Sequence, residues 1–202
     1  MKSLFLSLFF LLLVQSGSAQ RPQPAAGHTH DILEVKFSPD ATKLISYSAG
    51  DGWLILWDVK SGRLLWKTKT EFIQKADEYY ALRCFAFSPD QNLIASGSGN
   101  GTVQLWDAKT GKFLWRAEAH PDSVTAVEFS PDGARIASAA APDEGESEIK
   151  ILRVEDGQIL KKLEGESCVI VAMKFDETGK LLRTGDLEGS VSQWQSDIPG
   201  EK

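Results

Sequence analysis

The sequence has only two cysteines and no excess of positive charge. Its 202 residues carry 22 Lys and Arg against 28 Asp and Glu, which gives a formal net charge of −6. A chain this acidic repels phosphate backbones, so we expect no nucleic-acid partner. Two cysteines limit any internal disulfide to a single pair, so the fold must be held together by other means.

Long apolar runs are also scarce, and the one that occurs lies near the N-terminus. Leu4 to Val14 spans 11 residues, short of the ~20 that a membrane-spanning helix needs. Lys2 precedes this run and Gly17-Ser18-Ala19 follows it, as in a cleavable secretory signal. We predict cleavage after Ala19, a secreted or periplasmic mature chain, and no membrane insertion after cleavage. No Cys follows this site, which excludes a bacterial lipid anchor there.

A short phrase returns four times along the chain, and a second landmark follows each copy. The phrases are Phe37-Ser38-Pro39-Asp40, Phe87-Ser88-Pro89-Asp90, Phe129-Ser130-Pro131-Asp132-Gly133 and Phe175-Asp176-Glu177-Thr178-Gly179. The second landmarks are Trp57-Asp58, Trp106-Asp107, Leu152-Arg153 and Trp194-Gln195. A period of ~40–45 residues with two such signals is typical of propeller blades.

The second repeat shows how one blade is built. Apolar, β-prone segments alternate with turn signals, and Asn100-Gly101 is a strong hairpin signal because both residues tolerate positive φ. The segments are Leu82 to Phe87, Leu93 to Ser98, Thr102 to Trp106 and Lys112 to Arg116. The sequence therefore predicts an all-β fold, a propeller-type array of four four-stranded blades. The last repeat ends near Gln195, so we expect its blade to lack a fourth strand.

These landmarks also divide the chain. We predict a signal peptide over 1–19, an N-terminal extension over 20–26, four repeats within 27–196 and a tail over 197–202. The repeats cover about 27–69, 70–117, 118–164 and 165–196. Cys84 and Cys168 fall in repeats that are not neighbours, at positions that are not equivalent. We therefore expect them to be buried as small apolar side chains rather than joined.

In combination these motifs resemble the WD-repeat β-propeller family, over about residues 27 to 195. The resemblance rests on Gly27-His28, the Phe-Ser-Pro-Asp phrases, Asp51-Gly52 and Trp57-Asp58. It implies a buried hydrogen-bonded set of His, Ser or Thr, Asp and Trp in each blade. The matching structural residues are His28, Asp51, Trp57, Ser96, Asn100, Trp106, His120 and Trp194. Tyr47 takes the hydroxyl place in the first repeat, so we expect no blade to keep the full set.

Two nonapeptides carry a second resemblance, to the tryptophan-docking motif of quinoprotein-type propellers. They are Asp58 to Trp66 and Asp107 to Trp115. The resemblance implies that Trp66 and Trp115 pack against a neighbouring blade and have no catalytic role.

No constellation predicts chemistry. His28-Thr29-His30-Asp31 could ligate zinc, but His28 occupies a loop position that the family uses structurally. His120, Asp122 and Ser123 are too close in sequence to form a nucleophilic triad. We predict no catalytic residues, no metal site and no cofactor. A quinone-dependent or hydrolytic propeller enzyme, and a remnant of a longer propeller, stay as alternatives.

Interaction surfaces are therefore the expected site of function. The architecture places the loops before the first strands and the second-to-third hairpins on one face. The candidate residues on it are Asp77, Glu78, Tyr79, Tyr80, Asp122, Glu166, Asp186 and Glu188. We expect a protein partner, and the carboxylates favour a basic one. The opposite face is predicted to carry cations, namely Lys43, Lys60, Arg63, Lys109, Lys112, Arg135 and Lys180.

Four repeats are fewer than the seven or so that usually close a propeller. Three outcomes remain open at this point. Two chains could form a homodimer that closes an eight-blade ring, another protein could complete the ring, or the chain could form an open four-blade arc.

Overall fold

The computed structural model describes residues 27–70, 74–75, 78–79, 81–141, 147–166 and 168–198, with only the backbone for 74–75, 78–79 and residue 166. The signal and the N-terminal extension expected from the sequence lie outside these ranges. Every element within them is a strand. No helix of the described residues is long and apolar enough to cross a membrane.

Each repeat forms one antiparallel sheet, called here blade 1 to blade 4. Blade 1 contains β1 (Glu34–Phe37), β2 (Lys43–Ser48), β3 (Trp53–Asp58) and β4 (Leu64–Lys69). A small hairpin follows, β5 (Gln74–Lys75) and β6 (Glu78–Tyr79). Blade 2 contains β7 (Leu82–Phe87), β8 (Leu93–Ser98), β9 (Thr102–Asp107) and β10 (Phe113–Glu118).

The remaining two blades differ in strand number. Blade 3 contains β11 (Val124–Phe129), β12 (Arg135–Ala140), β13 (Ser147–Arg153) and β14 (Ile159–Glu166). Blade 4 contains β15 (Ile170–Phe175), β16 (Leu181–Asp186) and β17 (Val191–Gln195). Among the described residues the fourth sheet thus has three strands. The predicted fold class, four WD-like blades with the last one lacking its fourth strand, is confirmed.

The repeated phrase acts as a rigid turn between the first two strands. In blade 2 the Ser88 hydroxyl donates to Asp90 Oδ1 at 2.6 Å, and the Leu93 amide donates to Ser88 Oγ at 2.9 Å. The Ser38 and Ser130 hydroxyls bond in the same way in blades 1 and 3. Because side chains satisfy the backbone of the turn, the two strands start in a fixed register.

The blades stack through their first strands. β1 packs against β7, β7 against β11, and β11 against β15, while β15 and β1 make no comparable packing within the described ranges. Three apolar clusters fill the spaces between successive blades. The described residues therefore form an open arc of four blades.

A side chain on each fourth strand also reaches across to the following blade. The Trp66 indole N–H donates to the Ala108 carbonyl at 2.9 Å, and the Trp115 indole N–H donates to the Val154 carbonyl at 2.8 Å. Between blades 3 and 4 the equivalent residue is Lys161, whose Nζ donates to the Gln195 and Asp197 carbonyls. The two tryptophans thus pack on neighbouring blades, as the second resemblance implied.

Arg135 and the cysteines complete the packing. Arg135 is buried and donates to the Ser196 carbonyl at 2.8 Å and the Gly179 carbonyl at 2.9 Å. Its expected place on an exposed cationic face is wrong, because these carbonyls draw it into the joint between blades 3 and 4. Cys84 and Cys168 are free thiols, and burial raises the pKa of Cys84 to about 12.

Blade 1 contains the full hydrogen-bonded set that the first resemblance implied, so the expectation that no blade keeps the full set is wrong. His28 Nε2 lies 2.8 Å from Ser46 Oγ, and the Trp57 indole N–H donates to the same oxygen at 2.8 Å. His28 Nδ1 lies 3.2 Å from Asp51 Oδ1. Because Ser46 Oγ accepts a hydrogen bond from Trp57, we assign the Ser46 hydroxyl as donor to His28 Nε2. The ring proton of His28 is then on Nδ1, which donates to Asp51.

The expectation that Tyr47 fills the hydroxyl place of the first repeat is therefore wrong. The hairpin between β2 and β3 is one residue longer than that between β8 and β9. The hydroxyl accordingly lies one residue further from the Trp. Tyr47 instead faces blade 2, with its ring centroid 6.1 Å from that of Phe85.

The other blades keep parts of the set. Trp106 donates to Ser96 Oγ at 2.9 Å and Trp194 donates to Thr184 Oγ1 at 3.0 Å. Asn100 Oδ1 accepts from the Thr102 hydroxyl at 2.9 Å within the hairpin of blade 2. In blade 3, which has Leu152 in place of Trp, His120 Nε2 lies 2.8 Å from Ser138 Oγ.

Replacing Ser46 by Ala should lower the free energy of unfolding by about 2–3 kcal/mol, because two buried groups lose their shared partner. Ser48→Ala is the matched control. Ser48 is buried two residues further along β2, and its hydroxyl has no hydrogen-bond partner in the described part of the chain. We expect Ser48→Ala to be nearly neutral in urea denaturation of residues 20–202. Equal losses in the two variants would contradict the role assigned to Ser46.

Candidate interaction surface

Hydrogen bonds place the second-to-third hairpin of each blade beside a loop that precedes a first strand. Gly99 donates to the Ala81 carbonyl at 2.9 Å, and Ala141 to the Ser123 carbonyl at 3.1 Å. Equivalent bonds occur within the other two blades. In blade 1 the Thr29 amide donates to Asp51 Oδ2, and in blade 4 the Leu187 amide donates to the Val169 carbonyl. These segments form one face of the arc, called here the hairpin face. The face that carries the Phe-Ser-Pro-Asp turns is called the turn face.

The structure places several of the candidate residues on the hairpin face. Asp122 is half-buried and Glu188 is exposed. Asp186 has a structural task, since its Oδ1 accepts from the Glu188 amide at 3.0 Å and the Ser190 amide at 2.8 Å. Of these three carboxylates, Asp122 and Glu188 accept no turn hydrogen bond within the described part of the chain.

The remaining candidates are only partly described. Glu78 and Tyr79 form β6, where they pair with Lys75 and Gln74. Glu166 is the last residue of β14 and pairs with Ser147. Asp77 and Tyr80 lie outside the described residues, as does residue range 142–146, which contains Asp143, Glu144 and Glu146.

A cleft of about 270 Å³ opens on the hairpin face at blade 3. Seven residues line it, and three of them carry carboxylates, namely Asp122, Glu148 and Glu164; the others are His120, Pro121, Ala140 and Ser147. Sequence reasoning missed Glu164 as part of the site. The signal was available, because the fourth strand runs toward the hairpin face and Glu164 is near its end.

Glu148 forms a compact ion network at this cleft. Its Oε2 lies 2.6 Å from Lys150 Nζ and its Oε1 lies 2.9 Å from Lys162 Nζ. Burial raises the pKa of Glu148, but the hydrogen bonds from the two lysines outweigh burial and hold that pKa below its usual range. Lys150 also donates to the Ala119 carbonyl. The charge of Glu148 is therefore compensated within the blade.

His120 is buried behind this network. Its Nδ1 lies 3.4 Å from Glu148 Oε2, too far for a good hydrogen bond, and has no hydrogen-bond partner among the described residues. Burial lowers the pKa of His120 to about 4, and the positive charge of Lys150 adds to the effect. His120 is thus a neutral structural residue at neutral pH.

The histidines of the first repeat do not form a metal centre with their neighbours. Both ring nitrogens of His28 are engaged within blade 1, by Asp51 and Ser46. Across the described ranges no group of three or more His, Cys, Asp or Glu side chains is arranged to hold a metal ion.

The low pKa of His120 makes stability depend on pH with a defined sign. The unfolded chain binds a proton at the ordinary pKa of 6.5, and the folded chain only near pKa 4. The contribution is therefore complete above pH 6.5 and is lost as the pH falls toward 4. Between pH 7.5 and 5.0 the wild-type chain should lose about 2 kcal/mol more unfolding free energy than His120→Gln.

Urea denaturation at the two pH values measures this difference. His30→Gln is the control, because His30 is exposed, and it should keep the pH dependence of the wild type. Identical pH dependence in the wild type and His120→Gln would contradict the assignment.

Comparison with known proteins agrees with this architecture. The family model "WD domain, G-beta repeat" matches residues 23–58, 71–107 and 111–144. The chain is 28% identical over 144 residues to telomerase protein component 1 of Mus musculus, and the match covers 71% of this chain but 5% of that protein. It is also similar to the crystal structure of the computationally designed Ika4 protein, with a TM-score of 0.64 and 27% identity over 85% of this chain and 95% of that one. Since the family model matches more than half of its length, the chain belongs to the WD40 repeat family.

Proposed function

We propose that this chain is an exported, non-catalytic WD40 scaffold that captures a basic segment of a protein partner on its hairpin face. WD40 domains typically serve as non-catalytic scaffolds for protein interaction. The observation that carries the finer proposal is the acidic cleft of blade 3, where Asp122 and Glu164 line an opening beside buried His120.

The charges in this cleft are not equivalent. Lys150 and Lys162 already neutralise Glu148, whereas Asp122 and Glu164 form no ion pair among the described residues. A Lys or Arg side chain entering the cleft would supply the missing cation. Charge-assisted hydrogen bonds of this kind favour specificity and rapid association.

Most aspartates of the turn face are used within the fold. Each of three aspartates accepts a hydrogen bond from the hydroxyl of the Ser two residues earlier, namely Asp40, Asp90 and Asp132. In the turns between the third and fourth strands, Asp58 and Asp107 accept hydrogen bonds from the backbone amide and the hydroxyl of the residue three positions later. Hydrogen bonds from Ser61 and Thr110 hold the pKa of Asp58 and Asp107 below its usual range. Because these carboxylates are used within the fold, a basic partner is expected to favour the hairpin face.

Export is the second part of the proposal. Its support is the sequence itself: Lys2, the apolar run from Leu4 to Val14, and the small residues that end at Ala19. A secreted or periplasmic scaffold would meet its partner outside the cytoplasm.

Removing two negative charges from the cleft should weaken partner capture. We expect immobilised residues 20–202 carrying Asp122→Asn and Glu164→Gln to retain basic envelope proteins about three- to tenfold less than the wild type, since each exposed charge pair contributes about 0.2–1 kcal/mol. Quantitative mass spectrometry of the captured proteins measures the change. The double variant Glu155→Gln and Glu177→Gln is the matched control, because it removes two exposed charges from the turn face. Equal capture by both variants would refute the assignment of the partner site.

Export predicts a defined mature terminus. When the full chain is expressed in a bacterial host, intact-mass analysis should find a product that begins at Gln20 in the periplasm or medium. Deletion of residues 2–19 should leave the protein in the cytoplasm. An unprocessed cytoplasmic product from the full chain would count against export and would leave the capture experiment unaffected.

A further inference from the structure

Two turns of this protein each hold the indole of the preceding blade. In blade 2 the Ala108 carbonyl accepts the Trp66 N–H, and a Cβ added to Gly111 would lie 2.6 Å from Trp66 Cε3. In blade 3 the Val154 carbonyl accepts the Trp115 N–H, and a Cβ added to Gly157 would lie 3.1 Å from Trp115 Cε3. A carbonyl and a glycine three residues later thus form a tryptophan socket, in which the missing side chain of the glycine makes room for the ring.

Blade 1 contains the same turn without an indole. Val59 and Gly62 stand at the positions of Ala108 and Gly111. The Gly62 amide donates to Asp58 O at 2.9 Å and the Val59 amide to Thr42 O at 2.9 Å, as their counterparts do in blade 2. Yet, apart from Gly62 and its two chain neighbours, no atom of the described residues lies within 4 Å of a Cβ built on Gly62. The socket is formed and unfilled there.

The surface beside this socket is shaped as a blade-to-blade interface. Phe87, Phe129 and Phe175, which end the first strands of blades 2 to 4, are 7%, 4% and 6% exposed, whereas Phe37 of blade 1 is 55% exposed. Val59 is 42% exposed, against 1% for Ala108. Val35 is also exposed, while its counterpart Phe85 is buried. An apolar face therefore continues from the socket to the first strand of blade 1.

The tryptophans of this chain are already committed. Trp66 and Trp115 occupy sockets, and Trp57, Trp106 and Trp194 donate to hydroxyls of their own blades. The sixth, Trp53, lies under Lys67 and Lys69, whose Nζ atoms are 4.8 and 5.2 Å from the centroid of its ring. None of these rings is left to fill the blade 1 socket of a second copy.

The last blade of a second copy is also a poor match for this face. Arg183 stands where Ile45, Ala95 and Ala137 pack against the next blade, and Gln193 where Leu56, Leu105 and Ile151 do so. Both Arg183 and Gln193 are exposed. Stacking this surface on the apolar face of blade 1 would bury Arg183 and Gln193 beside the exposed Val191, and these two polar side chains would have no designated partners there.

We propose that blade 1 is a docking site for a tryptophan carried on an extended segment of a different protein. The indole N–H donates to the Val59 carbonyl, the ring lies on Gly62, and flanking apolar side chains cover Val35 and Phe37. This site lies on the outer side of blade 1 and does not depend on the acidic cleft of blade 3.

The chain supplies a suitable probe for this site. The peptide with the sequence of Lys112 to Glu118 carries the tryptophan that fills the socket of blade 3. Added to ¹⁵N-labelled residues 20–202, it should cause saturable amide shift changes at Val59 to Arg63 and along β1. The same peptide with Trp115→Ala should bind at least about tenfold more weakly, as expected when the anchoring aromatic residue is removed.

Two glycine variants separate socket binding from general effects. Gly62→Asn should weaken peptide binding about tenfold, because any side chain there enters the ring position. Asn tolerates the φ of +66° at this residue, so the fold should persist by circular dichroism. Gly189→Asn is the matched control, since Gly189 also has positive φ and open space around it, and it should bind as the wild type does.

Three results would overturn the proposal. The first is the lack of saturable shifts with the tryptophan peptide, and the second is shifts that Gly62→Asn leaves unchanged. The third is a dimer of residues 20–202 in light scattering that Gly62→Asn converts to monomer, which would assign the face to a second copy.

Discussion

The structure depends on one constraint: a four-stranded blade is apolar on both faces and is stable only between neighbours. The three clusters between successive blades satisfy this requirement inside the arc. Trp66, Trp115 and Lys161, each on a fourth strand, then fix the position of one blade on the next by donating hydrogen bonds to backbone carbonyls. A hydrogen bond has a preferred direction, which apolar contact lacks. Stability comes chiefly from burial, and register between blades comes from these few polar contacts.

Inside the blades, polar side-chain networks hold the second-to-third hairpins in place. In blade 1 His28, Ser46, Asp51 and Trp57 join a loop, two strands and a hairpin through one network. Blade 3 lacks the tryptophan and uses an ion network around Glu148 instead. The acidic cleft lies at this departure from the family pattern. The candidate binding site thus lies in the blade that has Leu152 in place of the landmark tryptophan.

The sequence was sufficient for the fold because the repeated phrase and the tryptophan landmark mark two strands in every blade. It failed for the first hydroxyl, and the reason is geometric. The distance from each landmark Phe to the bonded hydroxyl is constant, since it crosses a tight Ser-Pro-Asp turn. The distance back from the Trp crosses a hairpin whose length varies, so counting ten residues back from Trp57, as from Trp106 to Ser96, indicates Tyr47 instead of Ser46.

Other parts of the site depend on contacts that are distant in sequence. Arg135 is buried because carbonyls 44 and 61 residues away receive its guanidinium, and no local pattern indicates this. Glu164 joins the cleft because β14 runs antiparallel to β13 and brings it opposite Glu148. The residues Lys60-Ser61-Gly62 do not reveal that the socket of blade 1 is unfilled, since the filled socket of blade 2 contains nearly the same residues, Lys109-Thr110-Gly111.

Two polar side chains on the outer surface of blade 4 make the two ends of the blade array different. A blade array with two apolar ends could add copies head to tail without limit and grow into fibres. Arg183 and Gln193 disfavour growth at one end, while Phe37 and the turn at Gly62 leave the other end receptive. In a chain built in this way, only one end of the blade array disfavours the stacking of a further blade. Its assembly is therefore expected to stop at a complex of defined size instead of continuing as a polymer.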